Sequence, residues 1–144
     1  MHVVKITDKL SVAKQPAVEE FGEIAKAGFK ALINNRPDGE DQLQPGSAAE
    51  AEAASAASLA YAHIPVTGTT ITAADVHKFQ EAVAAADGPV LAHCKGGTRS
   101  LSLFVIGEVL AGRMRPDEVR PFGARHGFDL AGAEAWLKYN GYAE

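Results

Sequence analysis

The sequence predicts an α/β fold of three layers, with a mostly parallel central sheet flanked by helices. Short apolar runs of four to six residues recur along the chain, each too short for a helix. Between them lie segments whose apolar residues repeat at helical spacing. Capping residues, glycines and prolines mark the junctions. Strands alternating with helices in this way build a parallel sheet with crossover helices, here as one domain over residues 1–144.

Val3 to Thr7 and Leu10 to Ala13 read as two short strands, with a turn at Lys14-Gln15-Pro16. Val18, Phe21, Ile24 and Ala25 recur at helical spacing, and Gly28 stops that helix. Phe29 to Asn34 reads as a buried strand that runs into the polar loop Asn35 to Glu40. The alanine-rich stretch from Ala48 to Ala60 predicts a helix with Ser47 near its cap. Tyr61 to Val66 is the next strand, and Pro65 places it at an edge or a strand end. Thr72-Ala73-Ala74-Asp75 has capping-box spacing and starts a helix towards Ala86. Asp87-Gly88-Pro89 breaks it before the strand Pro89 to Ala92. A buried helix from Ser100 to about Ala111 ends at Gly112, and two more follow near Pro116–His126 and Leu130–Tyr139.

Composition excludes several classes of function. The 144 residues bury a core without staples, and 47% hydrophobic with 22% charged residues is ordinary for a globular protein. A net charge of −4 with no strongly basic segment argues against nucleic acid as a partner. The single cysteine excludes an internal disulfide and a four-cysteine zinc site. Five histidines lie scattered without metal-ligand spacing, so neither metal nor cofactor is expected. Lys5, Asp8 and Lys9 interrupt what would be a signal peptide, and no run is long enough to span a membrane. The expected location is cytoplasmic.

In parallel sheets ligands bind beyond the carboxyl ends of the strands. Three loops then share one edge: Asn35 to Glu40, residues 67–71, and Cys94 to Arg99. The last is the most informative. His93-Cys94-Lys95-Gly96-Gly97-Thr98-Arg99-Ser100 lies between an apolar strand and an apolar helix. That layout sets a thiol under inward-turned amides at the positive end of a helix, which favours a thiolate beside an anion.

Cys94 is the expected nucleophile, and Arg99 the fork that grips the anion. Lys95, Gly96, Gly97, Thr98 and Ser100 complete the anion-binding loop, with Ser100 either donating to the thiolate or capping the helix. His93 supports the loop. Arg36 sits on the same edge, where it could also pair with Glu40 as scaffold. Asp38 is the candidate acid, or else shapes a Pro-Asp-Gly turn.

The His-Cys-x-x-Gly-x-Arg-Ser loop resembles those of cysteine-dependent phosphatases and of rhodanese-type sulfurtransferases. Together with Ile33-Asn34-Asn35-Arg36-Pro37-Asp38-Gly39-Glu40 and His63-Ile64-Pro65-Val66, it is similar to the bacterial phosphatase-like family called β-lactamase-hydrolase-like. That family is related to dual-specificity phosphatases. The resemblance covers nearly the whole chain and implies their fold. It also implies a metallo-β-lactamase-fold sulfur enzyme as a partner.

Two departures bear on the cargo. Phosphatases of this class place five residues between cysteine and arginine, whereas Lys95, Gly96, Gly97 and Thr98 make four. The shorter loop matches the rhodanese pattern and offers one donor fewer to a phosphoryl group. The loop Thr67-Gly68-Thr69-Thr70 also lacks the aspartic acid that resemblance would put there, and Asp75 is taken by its capping box. The sequence therefore ranks a sulfurtransferase first. It would move sulfur from thiosulfate or a persulfide to an external thiol through a Cys94 persulfide. A phosphatase acting on a phosphate ester through a Cys94 phosphoenzyme is the alternative, and an anion-binding interaction module the third reading.

Overall fold

The computed structural model describes residues 2–143 and has the three-layer α/β architecture. Strands β1 (Val3–Lys5), β2 (Leu10–Ala13), β3 (Ala31–Asn34), β4 (Ala60–His63) and β5 (Val90–His93) form one sheet in the order β1-β2-β5-β3-β4. β1 pairs antiparallel with β2, and every other neighbour is parallel. β5 thus lies between β2 and β3, which makes its carboxyl end the middle of the sheet edge. Ala13, Asn34 and His93 come into register there.

The helices are α1 (Phe21–Lys26), α2 (Ser47–Ala56), α3 (Ala73–Ala85), α4 (Thr98–Leu110), α5 (Val119–Arg125) and α6 (Ala131–Tyr139). Strand alternation splits them between two faces. Val90, Ala92, Ala31 and Ile33 face a core built with Phe79, Leu103, Val119 and Leu137 from the later helices. Leu91 and Leu32 point the other way, against Phe21, Ile24 and Ala54 of α1 and α2. Phe21 and Phe79 are each 1% exposed. Full burial of such a ring is worth about 1.5–3 kcal/mol.

Most expected elements are present within a residue or two. β4 is an edge strand, consistent with Pro65 just beyond it. The Thr72–Asp75 capping box forms reciprocally, at 3.0 and 3.1 Å. Four boundaries differ, the first being β4, which stops at His63 rather than Val66. β1 stops at Lys5 because the N–H groups of Ile6 and Thr7 both turn back to the Leu10 carbonyl. α2 ends at Ala56, not Ala60: Ser58 takes a left-handed φ of 61°, and Leu59 folds back into the core with its N–H on Ala54. Alanine propensity offers no reason to continue once a leucine can be buried. Pro116–Glu118 is a 3₁₀ turn ahead of α5. Among the described residues no helix is long and apolar enough to cross a membrane.

Candidate active site

β5 delivers His93 and Cys94 to the middle of the sheet edge, and α4 leaves that point at Thr98. The turn between them needs Gly97, whose φ is +100° and whose Cβ would meet the Phe128 ring at 2.9 Å. Gly97 is also the N-cap of α4, and no side chain caps that helix. The first-turn amides of Thr98, Arg99 and Ser100 therefore have no acceptor within the helix. Beside them the Gly97 amide donates to Cys94 Sγ at 3.0 Å. A free, buried thiol thus lies at the uncapped start of a helix, an arrangement that attracts anions.

Arg99 is aimed by two other loops. Its Nη1 and Nη2 donate to Glu40 Oε2 and Oε1 at 2.8 and 3.0 Å, and Nη1 also donates to the Val66 carbonyl at 2.9 Å. Three of its five N–H groups are used in this way. The edge formed by Nε and the other Nη2 proton remains for an anion. Burial works against its charge, but Glu40 and then Cys94 outweigh that, and the guanidinium is raised above its ordinary value. The Arg99 fork, with Arg36 behind it, likewise holds Glu40 below the usual carboxylate range. Glu40 is thus an anion at neutral pH.

Arg36 is scaffold. It is 3% exposed and donates to Glu40 at 2.9 Å and to Gln15 Oε1 at 3.2 Å. Its Nη2 has no hydrogen-bond partner and lies 3.6 Å from Asp41 Oδ2. Lys95 and Gly96 are exposed at the mouth, and Lys95 contributes to the field that lowers Asp41. A groove of about 270 Å³ lined by Lys14, Gly96, His126 and Phe128 opens beside them. An apolar cleft of about 250 Å³ near Leu10, Phe79 and Phe104 lies by the amino end of β2, away from Cys94.

Two sequence expectations need correcting. Asp38 is not placed as an acid: its carboxylate takes the Ser47 amide at 2.7 Å and the Ser47 hydroxyl at 2.6 Å. These bonds hold it below the ordinary carboxylate range, so it carries no proton to give at neutral pH. It caps α2 from a distance, where Ser47 itself was expected near the cap. Ser100 neither reaches the thiolate nor caps α4. It is fully buried and donates to Asn35 Oδ1 at 2.7 Å. Asn35 in turn donates to the Ile64 carbonyl at 2.9 Å, tying together the first turn of α4 and the segments that follow β3 and β4.

The sequence reading missed Glu50, which is 1% exposed and lies 2.7 Å from His93 Nε2. It left Glu40 as a partner for Arg36 alone. No local pattern marks either residue. Among the described residues no group of three metal-ligating side chains occurs.

Comparison with known proteins agrees with this picture. The sequence profile of the β-lactamase hydrolase-like protein, phosphatase-like domain, matches residues 2–111. A β-lactamase hydrolase-like protein of Agrobacterium fabrum is 50% identical over 138 residues, which is 96% of this chain. One from Xylella fastidiosa is also 50% identical over 138 residues, again 96% of this chain. The chain spans about a third of the length of these curated relatives, 32% in each case. A crystal structure of a phosphatase-like protein from Neisseria meningitidis is similar with a TM-score of 0.85 and 31% identity, covering 96% of this chain and 98% of that one. TpbA of P. aeruginosa, solved in complex with phosphotyrosine, shares the fold at a TM-score of 0.70 and 17% identity, covering 97% of this chain and 86% of that one.

Proposed function

The chain belongs to the family of the phosphatase-like domain of β-lactamase hydrolase-like proteins, and from that premise we propose that it hydrolyses phosphate monoesters through Cys94. The observation that carries this reading is the cradle itself. Cys94 Sγ takes a 3.0 Å amide bond at the uncapped start of α4, and Arg99 keeps one edge of its fork open beside it. The helix amides and that edge hold the phosphoryl oxygens while the thiolate attacks phosphorus in line. The S–P bond forms, the ester P–O bond breaks, and the alcohol side departs as its anion. Water then attacks the phosphocysteine, releasing phosphate and restoring the thiolate.

The substrate class follows from the missing acid. Asp38 is tied to Ser47, Glu40 is held ionised, and the Thr67–Thr70 loop bonds to itself at 2.6 Å. Leaving groups that tolerate departure as anions suit such a site, which favours aryl phosphates over alkyl ones. The relatives' phosphatase-like character thus reverses the order in which loop length ranked the two cargoes. Turnover of 4-nitrophenyl phosphate, lost in both Cys94→Ser and Arg99→Ala, is the expected result. Wild-type turnover no greater than that of Cys94→Ser would sink the reading.

The four-residue spacing between Cys94 and Arg99 favours one second reading, a sulfurtransferase. Its thiolate attacks the outer sulfur of thiosulfate, expels sulfite and keeps a persulfide for an external thiol. The thiol acceptor and a metallo-β-lactamase-fold partner belong to this reading alone. Mass spectrometry after thiosulfate treatment decides it: a one-sulfur adduct on Cys94 supports it, and an unmodified Cys94 ends it.

A further inference from the structure

Attack from Cys94 puts the departing oxygen on the solvent side of phosphorus, so the body of the leaving group must lie against one lip of the mouth. The lips differ in charge. The connection after β3 carries Asp38, Glu40 and Asp41, and the Thr67–Thr70 turn after β4 carries no charge. On the other side of β5 the chain leaves β2 at Ala13 and enters Lys14.

The groove of about 270 Å³ opens on that second side and shares Gly96 with the Cys94 loop. Val4, Val12 and Phe128 give it an apolar wall. The Phe128 ring is wedged against the start of α4, since a Cβ on Gly97 would meet it at 2.9 Å. The Phe128 amide donates to the Gly123 carbonyl at 2.8 Å, and a Cβ on Gly123 would meet Leu130 at 2.5 Å. Nδ1 of His126, at the end of the groove, donates to the Phe122 carbonyl at 2.9 Å. The wall is therefore formed before any ligand arrives, which removes the cost of ordering it on binding.

Among the described residues no carboxylate lines this groove. Asp129, next in the chain to Phe128, accepts the Ala131 amide at 2.9 Å. Two lysines stand near the groove. The Leu43 amide, and behind it Arg36 and Lys95, hold Asp41 below the ordinary carboxylate range, so part of the Lys95 field is already used. Lys14 is exposed and has no ion pair among the described residues.

We propose that Lys14 is a specificity-determining residue, and that the groove between it and Phe128 seats the ring of an aryl phosphate that carries a carboxylate as a second anionic group. The apolar wall takes the ring, and the unpaired ammonium takes the carboxylate at the solvent end. The acidic lip across β5 repels the same group, so both sides of the mouth favour one orientation. A groove of this volume holds one ring and a few further atoms, not a run of peptide. The assignment deepens the aryl phosphatase reading and rests on it.

The test compares 4-carboxyphenyl phosphate with its uncharged isostere, 4-carbamoylphenyl phosphate. Dividing the ratio of their kcat/KM values in wild type by that in Lys14→Gln cancels the difference in leaving ability. The quotient should be about fivefold at low ionic strength, and should fall towards one at about 1 M salt, where the screening length is about 3 Å. Lys78→Gln, which removes an exposed lysine of α3, should keep the wild-type ratio, and a fall as large as that of Lys14→Gln would overturn the proposal. Equal ratios in wild type and Lys14→Gln overturn it too. So does faster turnover of a phosphotyrosine peptide with uncharged neighbours than of either ester, because the groove would then hold a chain. Calorimetric titration of both esters into Cys94→Ser, with and without Lys14→Gln, reads the groove without turnover. A fivefold binding quotient in a chain whose wild type cleaves neither ester would sink the phosphatase reading and keep the groove's ligand. A quotient of one with both esters cleaved would sink this assignment alone.

Discussion

Glu40 and Glu50 both come from the connection between β3 and β4, and each binds one end of the Cys94 loop in a different dielectric. Glu40 sits at the mouth, 25% exposed, with two arginines on its carboxylate. Glu50 is 1% exposed, with a histidine and a glutamine. Water can reach Arg99, the outer partner of the first, and cannot reach His93, the inner partner of the second. Their contributions should therefore differ in kind: Glu40 aims a side chain that remains close to solvent, whereas Glu50 is tied to the integrity of the fold.

The largest expected contrast is in stability. Glu50→Ala strands a buried histidine and should cost about 3–5 kcal/mol in urea unfolding. Glu40→Ala should cost less, about 1–3 kcal/mol, because Arg99 stays near solvent and the buried Arg36 keeps Gln15 and Asp41. Equal losses would erase the distinction. Activity should rank them differently. Glu40→Gln keeps the shape but loosens the Arg99 fork, and kcat/KM for an aryl phosphate should drop about tenfold with the urea midpoint little changed. A full-rate Glu40→Gln enzyme would mean that the Val66 carbonyl aims Arg99 unaided.

Acid should separate the pair further. Glu40 is held below its ordinary value of 4.5, so the folded state binds fewer protons there than the unfolded chain. Its contribution is complete above that value and is lost as pH falls through the lower folded one. The stability gap between wild type and Glu40→Gln should accordingly close on acidification below about pH 4.5, as followed by urea titrations. A gap that does not narrow at all as pH falls below about 4.5 would mean that the ion pair is not its source. The smallest effect is that of salt. At about 1 M the screening length is about 3 Å, which should shrink the Glu40–Arg99 coupling in a double-mutant cycle and leave Glu50–His93 unmoved.

The strand–turn–helix layout at the sheet edge was legible in the sequence because it is local. A strand, a glycine turn and a helix start follow one another from Val90 to Arg99, and each obeys short-range backbone rules. The Thr72–Asp75 box and the prolines and glycines at junctions were legible for the same reason. Asp38 and Ser100 were not. Both residue types have short side chains that bond to whatever the fold brings near, here Ser47 and Asn35. Glu50 was hidden by its setting. In an alanine-rich helix a glutamate reads as a solvated residue, and only the packing of α2 against the sheet turns it inward.

The sequence by itself determined that a thiol would sit at the start of a helix here, since Cys94, its glycines and the first turn of α4 are covalently adjacent. Tertiary structure alone decided which charge serves which end of that loop. Glu40 meets Arg99 across 59 positions, and Glu50 meets His93 across 43. Such pairs depend on β5 being inserted between β2 and β3 and on the face that α2 covers, and neither is encoded in any short stretch of chain. Backbone preferences act over a few residues, whereas side-chain electrostatics depend on distances in space that only the assembled core sets.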